Sequence, residues 1–166
     1  MRSLMRRAVL GAFRVLPGGL TKWAVFWLKR KYVIGVVAVV ADERGRFLFL
    51  HHTYRKKRAW RLPGGLKERH EDVFVTACRE LKEEANLTVQ ALQVIAVEPA
   101  EVTMDIAVLC EVKATGPFIV NDEIDDLAWL DPEEATFEIP PEQLRFIAVA
   151  RQVLLARDHG ATLPSR

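Results

Sequence analysis

Residues 64–87, GGLKERHEDVFVTACRELKEEANL, combine a glycine pair with a run of carboxylates. Residues three or four apart lie on one face of an α-helix, so Glu80, Glu83 and Glu84 are expected to point the same way. Like charges on one face repel each other by about a few tenths of a kcal/mol per pair. Hard divalent cations such as Mg²⁺ prefer carboxylate oxygen. The charge run alone therefore fits either a metal site or a solvated acidic surface.

The spacing along this stretch separates the two interpretations. The order is Gly65, five residues, Glu71, seven residues, Arg79-Glu80-Leu81, one residue, Glu83-Glu84, one residue, then Asn86-Leu87. It closely resembles the Nudix box, Gly-x5-Glu-x7-Arg-Glu-U-x-Glu-Glu-x-Gly-U, in which U is a bulky aliphatic residue. The one departure is Asn86 in place of Gly. Asn also ends helices in the left-handed conformation, so we expect the backbone shape to be kept.

The resemblance covers about residues 32–157 and implies a Nudix-type α/β/α sandwich around a mixed β-sheet. Apolar and alternating runs predict strands at residues 33–41, 47–52, 91–98, 102–112 and 127–130. Helical periodicity predicts helices at 73–85 and 141–156, with Asp72 as the N-cap of the first. Residues 158–166 are expected to form a flexible tail.

The composition predicts one domain of moderate size. The chain has 166 residues, enough for a self-sufficient hydrophobic core. Its two cysteines, Cys78 and Cys110, have no metal-ligand spacing and are expected to be buried free thiols. Free thiols suit a reducing compartment, so we expect a cytoplasmic protein.

A basic arm precedes the acidic body of the chain. Residues 1–31 contain eight Lys and Arg residues and no acid, while the rest has 16 basic and 22 acidic residues. Apolar residues recur in the arm at helical spacing, which predicts a basic amphipathic helical segment. Three interpretations remain open: packing on its own domain or across a homodimer, peripheral contact with an anionic membrane, and contact with a polymer such as RNA.

The resemblance assigns a role to each charged residue of the box. Glu80 and Glu84 are the principal ligands of Mg²⁺ or Mn²⁺, and Glu83 is a further ligand. The carbonyl of Gly65 is an additional candidate ligand, because a glycine lets the backbone approach the metal. Glu80 and Glu83 are also candidate catalytic residues. The remaining pair, Glu71 and Arg79, is expected to support the box structurally through an Arg–carboxylate fork.

The general base is either a box glutamate or an acid on a later loop. The candidate on that loop is Glu123, just before Trp129. Its rivals in the same acidic turn are Asp122, Asp125 and Asp126. A solvated acidic turn is the alternative interpretation.

A basic loop precedes the box and is a candidate substrate-binding segment. Arg55, Arg58 and Arg61 lie just before Gly64-Gly65, where their charges would attract an anionic substrate. Trp60 is expected to have a core or hinge role, with stacking on a base as the alternative. The consecutive strand residues His51 and His52 cannot face the same side, so both are expected to be structural.

Together these features predict a metal-dependent hydrolase that cleaves a diphosphate linkage in a nucleoside diphosphate derivative or nucleoside triphosphate. A small-molecule nucleotide is the expected substrate. The alternatives are a non-catalytic ligand sensor of the same fold and an RNA-directed, decapping-like hydrolase. The sensor is disfavoured because all box glutamates are present, and RNA is disfavoured because no aromatic-rich RNA-binding motif is found.

Overall fold

The computed structural model describes residues 33–100 and 103–158, and the predicted arm and most of the predicted tail lie outside these ranges. The strands are β1 (Val33–Val40), β2 (Phe47–His52), β3 (Trp60–Arg61), β4 (Gly64–Leu66), β5 (Leu87–Pro99), β6 (Thr103–Thr115) and β7 (Ile124–Leu130). The helices are α1 (Val73–Ala85) and α2 (Pro141–Asp158), with a 3-10 turn at Pro132–Glu134. No helix in the described ranges is long and apolar enough to cross a membrane.

The strands form two sheets, and this arrangement confirms the predicted mixed α/β fold. The larger sheet has the order β4-β1-β6-β5, with β1 parallel to β6 and the other neighbours antiparallel. The smaller sheet has the antiparallel order β3-β2-β7. The short strand β4 carries the glycine pair and lies beside β1, so the first residues of the box are held by the larger sheet.

Strand β1 is buried on both of its faces. Val36 and Val40 belong to a buried cluster that includes Leu81 of α1. Val39 belongs to a second cluster that includes Phe146 of α2. Because successive side chains of a strand point to opposite faces, the two helices cover opposite sides of β1. This double burial explains why its sequence is a continuous apolar run.

Both ends of α1 are capped by side chains. The Asp72 carboxylate accepts hydrogen bonds from the backbone N–H groups of Phe74 and Val75, at 2.8 and 2.9 Å. At the other end Asn86 has φ 51° and ψ 35°, which confirms the expected left-handed cap. Its side-chain amide also donates to the carbonyl oxygen of Pro117 at 3.0 Å. The cap therefore joins the end of α1 to the segment that follows β6.

Several predicted boundaries differ from the structure, and two short strands are absent from the prediction; β6, for example, continues to Thr115 instead of residue 112. β5 begins at Leu87 instead of residue 91, because its first residues alternate between inward apolar and outward polar side chains. β7 begins at Ile124 instead of residue 127. Asp125 and Asp126 are exposed, and aspartate is depleted in strands, so the sequence pattern does not predict this early start. Helix α2 continues to Asp158, the first residue of the predicted tail. β3 and β4 are two and three residues long, too short to give a periodic signal.

Candidate metal and substrate site

The glycine pair of β4 brings the backbone against two box carboxylates. The Gly64 N–H donates a hydrogen bond to the Glu84 carboxylate at 3.0 Å. A Cβ added at Gly65 would overlap the carboxylate of Glu80. Only glycine therefore lets β4 lie this close to α1 at residue 65 without moving Glu80. The carbonyl of Gly65, a predicted metal ligand, belongs to this closely packed segment.

Arg79 organises the remaining charges of the box. Its Nε donates to Glu71 at 2.9 Å and its Nη2 donates to the other Glu71 oxygen at 3.1 Å. This fork lowers the pKa of Glu71 and raises the pKa of Arg79. The third nitrogen, Nη1, lies 2.8 Å from Glu80 and 3.0 Å from Glu83. One guanidinium thus connects the loop carboxylate to two carboxylates of the helix.

Two of the carboxylates are poorly stabilised as anions. Burial, together with repulsion by Glu80, Glu123 and Glu83, raises the pKa of Glu84 to about 8 against the opposing Gly64 N–H. Burial also raises the pKa of Glu80, although Arg79 acts against it. The cluster contains hard oxygen donors, and its negative charge exceeds the positive charge of the groups around it. These residues fit a hard divalent cation such as Mg²⁺.

Within the described ranges, no three His, Cys, Asp or Glu side chains already converge in the geometry of a metal site. The ion pairs of Arg79 hold Glu80 and Glu83. The Glu83 side chain is 60% exposed, whereas that of Glu80 is 13% exposed. A cation at the cluster would therefore have to compete with Arg79 for these two carboxylates.

A cavity of about 280 Å³ joins the box to the later acidic loop. Its lining residues are Glu80, Glu83, Glu84, Asn121, Asp122, Glu123 and Ile124. The fold therefore brings the candidate base Glu123 to the box. Its rival Asp122 lines the same cavity, while Asp125 and Asp126 do not.

The two other acids of that loop have local partners. Asp125 pairs with His51, with Oδ1 2.5 Å from Nδ1, and Asp126 accepts from the Leu127 N–H at 2.8 Å. The loop itself is held by Thr53. The Thr53 N–H donates to the Glu123 carbonyl at 2.9 Å, and its hydroxyl donates to the Asp122 carbonyl at 2.6 Å.

A second cavity of about 370 Å³ lies on the strand side of the glycine pair. Arg55 and Arg61 line it together with His52, Asp105 and Glu142. The basic loop thus contributes two of its three predicted substrate residues to this cavity.

The other aromatic and basic residues of the loop lie outside the cavity. Arg58 is not part of its lining, because its Nε donates to the Glu138 carboxylate at 2.8 Å. Trp60 stacks on Phe137, with ring centroids 4.9 Å apart and an interplanar angle of 13°. Trp60 is therefore a packing residue here, in line with the core role expected from the sequence.

Several residues of the second cavity have no distinctive signal in the sequence. Asp105 and Glu111, the two acids of β6, both lie between apolar residues, so an isolated charge does not distinguish Asp105. Glu142 and Gln143 lie in the first turn of α2, where acids and amides are common and give no signal. The sequence predicts a structural role for His52, and the fold places this residue in the lining of the cavity.

Acidification is expected to destabilise the protein through His52. The residue is 4% exposed, and burial is the main cause that lowers its pKa from 6.5 to about 4. The folded state therefore favours neutral His52, and this contribution is present above pH 6.5 and is lost as the pH falls towards 4. At about 1.4 kcal/mol per pKa unit, lowering the pKa from 6.5 to about 4 corresponds to a loss of at most about 3.5 kcal/mol.

Urea unfolding at several pH values would measure this effect. The free energy of unfolding of the native chain should fall more steeply between pH 7 and pH 4 than that of His52→Leu. Parallel pH profiles of the two proteins would show that protonation of His52 does not oppose folding.

Neutralising Glu71 is expected to weaken the site through Arg79. Glu71→Gln removes the charge that holds the guanidinium, so Arg79 should turn further towards Glu80 and Glu83 and compete with a metal. Supporting residues of metal sites typically change affinity or activity about 10- to 100-fold, and we expect a loss in that range. Turnover as a function of Mg²⁺ concentration measures this loss.

The exposed Glu68 lies in the same loop, and Glu68→Gln is the matched control. Equal activity of both variants would contradict a supporting role for Glu71.

The chain is similar to a known protein family, to curated proteins and to solved structures. The model described as the NUDIX domain matches residues 31–157. "Nucleoside diphosphate-linked moiety X motif 6" of Xenopus laevis is 26% identical over 113 residues, which is 63% of this chain and 52% of that protein. The Homo sapiens protein of the same name is 29% identical over 108 residues, 59% of this chain and 34% of that protein. The chain thus matches about half and about a third of the length of these curated relatives.

A solved structure shares the fold. The ADP-ribose pyrophosphatase of Streptococcus suis has a TM-score of 0.62 and 21% identity, with 74% of this chain and 93% of that chain covered. At this identity the likeness concerns the fold. The family model includes every residue of the box and both cavities.

Proposed function

The chain belongs to the NUDIX family, and from this premise we propose that it is a metal-dependent hydrolase. The proposed reaction is attack of water at phosphorus in a diphosphate linkage of a nucleoside diphosphate derivative or nucleoside triphosphate. The observation that carries the proposal is the cavity in which Glu80 and Glu84 of the box meet Glu123 of the later loop. Carboxylates that can hold a divalent cation, beside an acid that can accept a proton, suit metal-assisted attack of water.

The residues of the chain have distinct roles in this proposal. Glu80 and Glu84 hold the cation, with the Gly65 carbonyl and the more exposed Glu83 as further ligands. Bound Mg²⁺ or Mn²⁺ would neutralise phosphate oxygens and lower the pKa of a coordinated water. The Gly64 N–H orients Glu84, and its 3.0 Å hydrogen bond leaves the other carboxylate oxygen of Glu84 for the cation.

Glu123 is proposed as the general base. Its position is supported by Thr53, which binds the carbonyl groups of Asp122 and Glu123. Glu123→Gln should lower kcat by about 100- to 10,000-fold, the usual contribution of a general base, with a small change in KM. The pH–rate profile should lose its acidic limb. Asp126→Asn is the matched control, because this acid lies outside the cavity.

Two results would contradict the role of Glu123. Unchanged turnover and pH profile in Glu123→Gln would assign the proton transfer to a box glutamate. Loss of the acidic limb in Asp122→Asn, with normal behaviour of Glu123→Gln, would assign it to Asp122, which lines the same cavity.

A substrate panel tests the proposed function as a whole. The purified chain would be incubated with nucleoside triphosphates, nucleoside diphosphate sugars, dinucleotides and a capped RNA, each with Mg²⁺ or Mn²⁺, and the products identified by mass. We expect a nucleoside monophosphate among the products of at least one small nucleotide. Nucleotide binding without turnover would favour the ligand sensor, and cleavage of the capped RNA alone would favour the RNA-directed hydrolase.

A further inference from the structure

We infer that Asn121 is a positioning residue for the proposed reaction, because its side chain and Thr53 together hold both backbone groups of Glu123. The inference rests on the proposed function, in which Glu123 is the general base. It explains how an acid on an exposed turn, residues 121–124, is kept beside the box carboxylates.

The turn that carries Glu123 is not held in place by its own burial. Asn121, Asp122 and Glu123 are all exposed, whereas Ile124 is fully buried in the core cluster that includes Leu81. Exposed segments with few apolar contacts open easily. A general base, however, has to lie within hydrogen-bond reach of the proton that it accepts. The position of Glu123 therefore depends on the hydrogen bonds that connect it to fixed parts of the fold.

The Asn121 side chain makes the first of these connections. Its Oδ1 accepts hydrogen bonds from the Glu123 N–H at 2.9 Å and from the Ile124 N–H at 2.7 Å. The Asn121 N–H donates to the Ile124 carbonyl at 2.9 Å. Side chains of Asn close turns in this way by accepting from the backbone a few residues ahead. The amide oxygen thus ties the exposed Glu123 to the buried Ile124.

Thr53 makes the second connection, on the other side of Glu123. Its N–H donates to the Glu123 carbonyl at 2.9 Å, and its hydroxyl donates to the Asp122 carbonyl at 2.6 Å. The peptide groups before and after Glu123 are therefore both held, and they set the direction of its Cα–Cβ bond. Both partners are neutral, so removing either bond would move the Glu123 carboxylate without changing the charge of the cavity.

A β-bulge aligns the turn with Thr53. The register between β2 and β7 shifts after His51, which leaves Asp125 as an extra residue of β7. Because of this shift, Ile124 occupies the core-facing position that regular alternation would give to Asp125. Thr53, which follows β2, then lies opposite Glu123. Bulges beside active sites commonly redirect side chains in this manner.

Exchange of amide hydrogens with solvent tests the inference without hydrolysis. In the ¹⁵N-labelled full chain, Asn121→Ala should speed exchange of the Glu123 and Ile124 amides by about fivefold or more, because it removes their shared acceptor. Asn121→Asp keeps an oxygen acceptor and should restore slow exchange. Asp42→Ala is the matched control, since the Asp42 carboxylate also accepts from two backbone N–H groups of its own turn, between β1 and β2. It should leave exchange at Glu123 and Ile124 unchanged.

Steady-state kinetics then test whether Asn121 acts through Glu123. Asn121→Ala should lower kcat by about tenfold or more with little change in KM, since small displacements of a catalytic group are costly. Asn121→Asp should recover most of kcat, measured at a pH where Glu123 is ionised. Thr53→Val should also lower kcat, whereas Thr53→Ser keeps the hydroxyl and should remain near native. In a Glu123→Gln background, Asn121→Ala should cause little further loss.

The outcomes separate this inference from the proposed function. Unchanged amide exchange in Asn121→Ala overturns the inference, and so does an equal loss of kcat in the native and Glu123→Gln backgrounds. A higher KM with native kcat overturns it too, because Asn121 would then contact the substrate. Impaired Glu123→Gln beside native kinetics of Asn121→Ala leaves the proposed function standing and overturns the inference. If no substrate is hydrolysed, the proposed function fails and the exchange rates decide whether Asn121 holds the turn. Thr53→Val and Thr53→Ser serve if Asn121→Ala does not fold.

Discussion

Replacing Glu84 with Gln is expected to lower kcat at saturating Mg²⁺ by more than about 100-fold, beyond the effect typical of residues that only support a metal site. The change removes one anionic ligand from the carboxylate cluster. The fold should be retained, because the Gln side-chain oxygen can still accept the Gly64 N–H. The substitution should also remove an unfavourable buried charge, since burial raises the pKa of Glu84 to about 8. Steady-state kinetics over a range of Mg²⁺, and calorimetric titration with Mn²⁺, would measure the two effects.

The matched control is Glu68→Gln, which removes an exposed carboxylate of the box loop. Its kinetics should equal those of the native chain. Metal-free Glu84→Gln should unfold at the same temperature as the native chain, or higher, at pH 8. Near-native turnover of Glu84→Gln with saturating Mg²⁺ would disprove the assignment of Glu84 as a metal ligand.

Replacing Gly64 with Ala is expected to destabilise the fold by about 3 kcal/mol or more, the upper range for strained backbone and overpacking. Gly64 has φ 151°, a conformation that side-chain-bearing residues rarely adopt. An added Cβ would also overlap the backbone oxygen of Val36. That backbone belongs to β1, which is held between β4 and β6 and cannot move away easily. Urea unfolding with a two-state analysis would give the change in free energy.

Gly45 offers a matched control with the strain but without the clash. It has φ 76°, and an added Cβ meets nothing within 4 Å. Gly45→Ala should therefore cost only about 1–2 kcal/mol, the penalty of the left-handed conformation. Equal losses in the two variants would show that the overlap with Val36 is relieved by a local shift.

The box helix was predictable because its determinants are local. Its predicted range, 73–85, equals the observed one, since Asp72 and Asn86 cap the two ends. The apolar spacing within it also specifies the buried face. The residues that cap a helix lie within about one helical turn of its ends, so the local sequence is enough to identify them.

The second cavity could not be predicted because its residues meet only through long-range pairing. His52, Asp105 and Glu142 come from two strands of different sheets and from a helix. The pairing of β1 with β6 places Asp105 beside Gly35, and no local pattern encodes that register. The basic loop gives a second example. Arg58 contacts Glu138, whereas Arg61, three residues later, lines the cavity, and the local sequence does not distinguish the two.

The cap at Asn86 has a consequence for how this chain can vary. A Cβ added at Gly116 would overlap the Asn86 side chain, and the Gly116 N–H donates to the Asn86 carbonyl at 2.9 Å. The box pattern has a glycine at position 86, whereas this chain has Asn86 there and a glycine opposite it at 116. We therefore expect a larger residue at 116 to require either movement of the Asn86 side chain or a smaller residue at 86.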